Sequence, residues 1–241
     1  MNSELYSAAS GLIVEERRVE AVANNLANAS TAGFRARRLF STLYEAAGSA
    51  GATYVANRQV ALAGTYQVKG PAPRRPTGRA LDVALGADAL LVVDTGKGRA
   101  YTRNGALSVT AEGALTDASG NRVLGSGGQP LAGLSEAASI SAEGEVFGKG
   151  AAVGSLLVVR DPGGVLEPLG YGLETAAGRD AALETVAEPE LQPGYLEGST
   201  TDPVNELIGL IEAQRAFESY QRLITLTMND INRKTVSEIA G

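Results

Sequence analysis

Apolar residues return every seven positions at both ends of this chain. Leu5, Leu12, Val19 and Leu26 do so near the N-terminus, and Leu210, Phe217, Ile224 and Ile231 near the C-terminus. A seven-residue spacing drifts only slowly around an α-helix. Each set therefore predicts an apolar stripe along one helix face, and such a stripe requires another helix to cover it. The most economical partner for each terminal helix is the other one. A chain built this way spends its ends on packing, against itself and against further copies, rather than on a chemical site.

The N-terminal pattern predicts a helix from Ser3 to about residue 30, with Ser3 as N-cap and Glu4 in the first turn. Ala8, Ala9, Val22 and Ala23 widen the stripe, Glu15 and Glu16 interrupt it, and Gly33 is the expected helix stop. The C-terminal helix has a well-marked start. Asp202 suits the cap, Pro203 the first helical position and Glu206 the first turn. No proline follows up to Glu238, so this helix is expected to reach ~55 Å. Gln214 and Gln221 fall on its seam, where polar residues fix register at a cost in stability.

The middle of the chain has a different texture. Residues 41–80 carry Gly48, Gly51, Gly64, Gly70 and Gly78 and the stretch from Pro71 to Pro76, which predicts an extended connector with short strands such as Tyr66 to Lys69. Residues 81–189 read as β. Leu90 to Val93 is a short apolar run, Asn104-Gly105 is a hairpin signal, and Ser155 to Arg160 is a further strand ending at Asp161-Pro162-Gly163-Gly164. Ser108 to Leu115 and Ser139 to Val146 are near-repeats, read as the same turn chemistry used twice. The fold class expected is α+β. Residues 1–40 and 190–241 form a helical domain of coiled-coil type, 41–80 the connector, and 81–189 an inserted all-β domain.

Composition excludes several chemistries. The chain of 241 residues has no Cys and no His, which removes thiol nucleophiles, disulfides, Cys/His zinc sites and any His-containing triad. Its net charge of -6 offers no general attraction to nucleic acid. No stretch approaches the ~20 apolar residues of a membrane span. The periodic N-terminus, with Glu4 where a basic region belongs, is not a cleavable secretion signal. Asp82, Asp88 and Asp94 lie six apart, and Asp82 or Asp88 in a cell-wall hydrolase is the enzymatic alternative; solvated or turn-capping carboxylates are the expected reading. Gly96-Lys97-Gly98 and Gly125-Ser126-Gly127-Gly128 are expected turns, not phosphate cradles. Arg35, Arg37 and Arg38, and Arg74, Arg75 and Arg79, are expected on the surface, the first group complementing a helix C-terminus.

One run is more specific. Residues 24–34, Asn24-Asn25-Leu26-Ala27-Asn28-Ala29-Ser30-Thr31-Ala32-Gly33-Phe34, join amides, a helix stop and an aromatic. The amides are expected to satisfy free carbonyls at the helix end, and Phe34 to pack back. This run resembles the N-terminal signature of the rod and hook family of bacterial flagellar basal bodies. Leu81 to Leu85, Tyr101 to Gly105 and Gly113 to Thr116 resemble its central region, and Gly194 to Ser199 and Ile211 to Glu218 its C-terminal signature.

The resemblance implies a structural subunit of the proximal rod, with the distal rod or the hook as alternatives, and no enzymatic activity. It implies no cofactor and no metal. The implied partners are copies of the chain, other proximal and distal rod subunits and the flagellar type III export apparatus, in the periplasm and without a cleaved signal. The expected subunit contacts are Leu5, Leu12, Val19, Asn24, Asn25, Leu26 and Asn28 at one end, and Leu210, Gln214, Phe217, Gln221, Ile224 and Ile231 at the other.

Overall fold

The computed structural model describes residues 2–46, 57–68, 70, 72–86, 88–170 and 172–239. The chain forms two compact units: Met1–Ala27, Ala36–Val68 and Thr201–Gly241 make one, Asn28–Arg35 and Lys69–Thr200 the other. The architecture is α+β, with a helix at each end and a strand-rich region between them.

In the first unit, helix α1 (Asn2–Ala27) and helix α2 (Pro203–Ile239) lie side by side. Helix α2 starts where its signals predict. The Asp202 carboxylate accepts the N–H groups of Val204 at 3.0 Å and Asn205 at 3.3 Å, and its carbonyl accepts that of Glu206 at 3.0 Å. Helix α1 begins at Asn2, so Ser3 lies inside it rather than capping it. It ends at Ala27, six residues short of Gly33.

The two helices run antiparallel. Asn25 meets Glu206, Val22 lies 3.9 Å from where a Cβ on Gly209 would stand, Arg18 faces Glu212 at 3.7 Å, and Gly11 lies beneath the Tyr220 ring. A Cβ on Gly11 would stand 2.5 Å from that ring. The glycine is therefore the hole that admits Tyr220 and sets the helix register. Gly11→Val is expected to cost about 1–3 kcal/mol through overpacking. The readout is the thermal midpoint of this unit, and Tyr220→Ala in the same chain should recover part of the loss.

Two long strands, β1 (Arg37–Ala46) and β2 (Asn57–Gln67), complete this unit as an antiparallel pair with a bulge between Phe40 and Ser41. The sequence suggested only short strands in a connector. Gly64 lies inside β2, where the Phe40 ring lies across it, 3.0 Å from a Cβ position, and fills the gap that a glycine leaves in a strand. The expected strand Tyr66 to Lys69 ends at Gln67; Gly48, Gly51, Lys69 and Pro71 lie outside the described residues.

The second unit contains short strands. Those of its first half are β3 (Arg74–Pro76), β4 (Val83–Ala84), β5 (Ala89–Asp94), β6 (Arg99–Thr102), β7 (Ser108–Val109), β8 (Leu115–Thr116) and β9 (Arg122–Val123). There follow β10 (Ser139–Ile140), β11 (Glu145–Gly148), β12 (Ala151–Ser155), β13 (Val158–Arg160), β14 (Glu167–Gly170) and β15 (Leu173–Thr175). Last come β16 (Glu184–Thr185), β17 (Gln192–Pro193) and β18 (Tyr195–Glu197). The largest sheet runs β14-β15-β6-β5-β9-β8-β7, and β13 pairs with both β5 and β16. Strand β5 is the centre. Leu91 and Val93 enter one apolar core with Leu85, Leu107, Leu115 and Val158, while Leu90 and Val92 enter another with Tyr101 and Val159. Both faces are covered, which is why this run shows no alternation.

The near-repeats do share one turn. Gly113 donates to the Thr110 carbonyl at 2.9 Å and Gly144 to that of Ser141 at 3.1 Å, each glycine having positive φ. Glu112 and Glu143 sit in the turns below the usual carboxylate range. For Glu112 its own backbone N–H is the main cause, for Glu143 the Ser141 hydroxyl. Two strand expectations fail. Ser155 to Arg160 is broken into the end of β12 and β13. Asn104-Gly105 does not turn a hairpin, because β6 pairs with β5 and β15 while β7 pairs with β8. Gly105 is required for close approach: its carbonyl accepts Val83 N–H at 3.0 Å, and a Cβ there would stand 1.8 Å from the Val83 oxygen.

Candidate assembly surface and its buried anchors

In each unit a buried glutamate ties together segments distant in sequence. In the helical unit it is Glu206, whose side chain is fully buried in the first turn of α2. Arg38 of β1 reaches it at 2.7 Å, and Asn25 of α1 donates to it at 3.3 Å. Asn25 is itself fully buried and grips the backbone of Arg37, donating to its carbonyl at 2.8 Å and accepting its N–H at 2.9 Å. One amide thus joins α1, β1 and α2. The amide run was expected to satisfy helix-end carbonyls; Asn25 instead serves a strand. Asn28 forms a local turn, its carbonyl and side-chain oxygen accepting from the backbone N–H and hydroxyl of Thr31.

In the β-rich unit the carboxylate is Glu197, and it takes two arginines. Arg35 lies 2.8 Å from one oxygen and Arg103 2.8 Å from the other. Arg103 also donates to the carbonyls of Ala89 and Gly86, both at 2.8 Å, and Arg35 donates to the carbonyl of Gly70. Burial first, and then the neighbouring Arg103, lower the Arg35 guanidinium from its ordinary value. The Glu197 backbone carbonyl accepts the N–H of Gly33 at 2.8 Å. Gly33 has φ +69 and no room for a Cβ, which would stand 2.4 Å from the Arg103 carbonyl. It is a point of close backbone contact, not the helix stop.

Of the basic clusters, Arg38, Arg74, Arg75 and Arg79 are exposed, as expected, and Arg35 and Arg37 are partly covered. Arg35 and Arg38 hold carboxylates, Arg74 donates to Gln192 at 3.0 Å and to the Leu85 carbonyl at 3.2 Å, and Arg79 pairs with Asp82 at 3.2 Å. Asp82 was expected in a solvated turn and is instead buried; Asp88 is exposed, and Asp94 accepts the Gly96 N–H at the tip between β5 and β6. A polar cleft of about 450 Å³ is lined by Lys97, Gly98, Arg99, Thr175, Gly178 and Asp180. Beside it the Tyr101 hydroxyl donates to Asp180, and burial, followed by that bond, raises the phenol above its ordinary range. Among the described residues no group of three or more Asp and Glu is arranged to hold a metal.

The helix faces are the larger feature. Leu5, Leu12, Val19, Leu26, Leu210, Phe217, Ile224 and Ile231 are all half-buried, while Asn24, Gln214 and Gln221 are exposed. The line of α2 that meets α1 most directly runs through Glu206, Ala213 and Tyr220, one position to the side of the predicted seam. Glu15 is mostly covered beside Arg18, and Glu16 is exposed. Apolar residues outside this pairing remain open to solvent. Among the described residues they include Tyr6 and Ile13 on α1, and Val204, Leu207, Ile208, Ile211, Leu223, Leu226 and Met228 on α2.

Residues 192–237 match the family described as flagellar basal body rod FlgEFG protein, C-terminal, and residues 5–35 match flagella basal body rod protein. The chain is 30% identical to the flagellar basal-body rod protein FlgF of Mesorhizobium japonicum, over 94% of each chain. It is 32% identical to FlgF of Salmonella typhimurium, covering 93% of this chain and 94% of the relative. It is 29% identical to the rod protein FlgG of Bacillus subtilis, over 98% of this chain and 99% of that protein.

The chain belongs to the flagellar basal-body rod protein family.

It is FlgF-like within that family, a structural subunit of the basal-body rod and not an enzyme. Its place is the basal body, assembled with other components of that structure. The two matched segments contain both anchoring carboxylates and one partner of each: Asn25 and Arg35 lie in the first, Glu206 and Glu197 in the second. Among the described residues no helix is long and apolar enough to cross a membrane.

Proposed function

We infer that this rod subunit takes its place in the proximal part of the rod, within the periplasm, and that its terminal helices form a tube wall which transmits torque. One observation carries the reading. After α1 and α2 have paired within the chain, both still present large apolar side chains to water, with Val204 67% exposed and Tyr6 62%. A helix apolar on more than one side requires more than one neighbour. Helices of this kind suit a coiled-coil-like wall in which each copy covers the next. The half-buried stripe from Leu5 to Leu26 and from Leu210 to Ile231, with Gln214, Gln221 and Asn24 at its margin, is the proposed contact surface. Asn25 acts behind it, inside the subunit. Partners of this surface are further copies and other proximal and distal rod subunits, delivered by the type III export apparatus without a cleaved signal. Likeness to both FlgF and FlgG relatives supports the rod over the hook.

A charge on the stripe tests the reading. Leu12→Asp or Ile224→Asp is expected to abolish incorporation and motility, because an unpaired carboxylate in an apolar contact costs several kcal/mol. Swimming assays and the protein content of isolated basal bodies are the measurements. Variants that swim normally would remove the stripe from the contact surface.

A further inference from the structure

The polar cleft of about 450 Å³ in the β-rich unit lies between the β5–β6 tip and the stretch from Thr175 to Asp180. Lys97 and Arg99 line it from one side, and Thr175, Gly178 and Asp180 from the other. Tyr101 fixes the acid in place. It is 2% exposed, and its hydroxyl donates to one Asp180 oxygen. Arg99 and Tyr101 are two apart in β6, so both point to the same face of the sheet. Glycines keep the cleft open. A Cβ on Gly98 or Gly178 would meet nothing within 4 Å, and one on Gly128 would stand 3.3 Å from Arg99 Nη2. The two cations differ from most others of this unit. Arg35, Arg74, Arg79, Arg103 and Arg179 each hold a carboxylate or a backbone carbonyl. Lys97 and Arg99 are exposed, and neither side chain forms a hydrogen bond or an ion pair among the described residues.

We propose that this cleft binds an acidic sugar, whose carboxylate lies between Lys97 and Arg99 and whose neighbouring hydroxyl donates to the second oxygen of Asp180. Each part of the ligand follows from a group already in place. Lys97 and Arg99 offer free donors to an anion, and a guanidinium meets a carboxylate with paired N–H groups. Asp180 is both an acceptor and a negative charge. It therefore repels a phosphate dianion and favours a ligand with a single charge and a donor beside it. No large apolar side chain lines the cleft, which suits a hydroxyl-rich ligand. The chain's net charge of -6 repels anions at large, so binding here is a local property of these residues. The cleft belongs to the β-rich unit, and the proposal does not rest on the rod reading.

The test is a titration of the purified chain, followed by the amide resonances of Gly98 and Gly178. D-Glucuronate is the probe, D-glucose the same ring without the carboxylate, and inorganic phosphate the charge without the ring. D-Glucuronate is expected to shift both amides, and D-glucose and phosphate to bind about tenfold more weakly, each lacking one contact to a charged group. Arg99→Ala and Lys97→Ala should each weaken D-glucuronate about tenfold on the same grounds. Both side chains are exposed and unbonded, so matching thermal midpoints are expected for these variants. Arg122→Ala is the control for net charge. Arg122 and Arg99 both pair with Asp94 from opposite sides, which sets them two strand spacings, or ~10 Å, apart. Its loss should leave the affinity unchanged. Asp180→Asn keeps an acceptor for Tyr101 and removes the charge, so phosphate should gain on D-glucuronate. Phosphate bound as tightly as D-glucuronate by the wild type overturns the proposal in favour of a simple anion site. Equal losses in Arg122→Ala and Arg99→Ala overturn it in favour of diffuse surface charge. Unmoved amides with every probe overturn it outright, as does full affinity in both Arg99→Ala and Lys97→Ala. The rod reading stands under all of these results.

Discussion

Replacing Glu197 with alanine is expected to destabilise the β-rich unit by about 3–5 kcal/mol, the cost of removing one partner from a buried ionic group. For a unit of this size that is a fall in thermal midpoint of roughly 10 °C or more. The physical reason is what remains. Arg35 and Arg103 are 12% and 8% exposed and face each other across the carboxylate. Without it, two guanidiniums repel in a place that water reaches poorly. Arg103 cannot swing out without abandoning the carbonyls of Ala89 and Gly86. The Glu197 backbone would still receive Gly33, so the loss isolates the side chain. Glu197→Gln keeps the shape and one acceptor and should fall between wild type and alanine. Thermal unfolding followed by circular dichroism decides it. An alanine variant melting within a degree or two of wild type would falsify the anchor.

Glu197 also shows where sequence reading stops. It was visible only as part of a signature, Gly194 to Ser199, with no hint that it lies beside residues 162 and 94 positions away in sequence. Pairing across such distances is set by topology, and periodicity carries no record of it. Local chemistry was legible: Asp202 and Pro203 start α2 as their types demand, and the two Glu-Gly turns are alike because the same residues recur. Boundaries were less so. Gly33 and Gly105 were read as a helix stop and a hairpin, the usual work of glycine. Each is in fact required because another backbone passes within reach of a Cβ. The predicted seam was one position to the side of the true α1 contact because Gly11 and Tyr220, a hole and the ring that fills it, leave no apolar repeat. The second face of α2 was within reach, since Val204, Leu207, Ile208 and Ile211 are spaced as a helical stripe in their own right.

Asn25→Ala is expected to lower the stability of the free subunit by about 2–4 kcal/mol, since it removes two part-buried hydrogen bonds to the Arg37 backbone together with a buried one to Glu206. The sequence pattern placed Asn25 among contacts between subunits. A contact residue changed to alanine leaves the isolated chain as stable as before and fails only on assembly. Asn25 is fully buried within one chain, so its loss acts before any neighbour arrives. The cavity is small, but no alanine side chain supplies both a donor and an acceptor to one peptide unit. Gln214→Ala is the matched control, because Gln214 is exposed on α2 and its change should move the midpoint little. Urea unfolding of the purified monomer separates the cases. Equal midpoints for wild type and Asn25→Ala would return Asn25 to the subunit interface. A lowered midpoint for Asn25→Ala alone makes this amide the joint that aligns α1, β1 and α2 into the surface offered to neighbours.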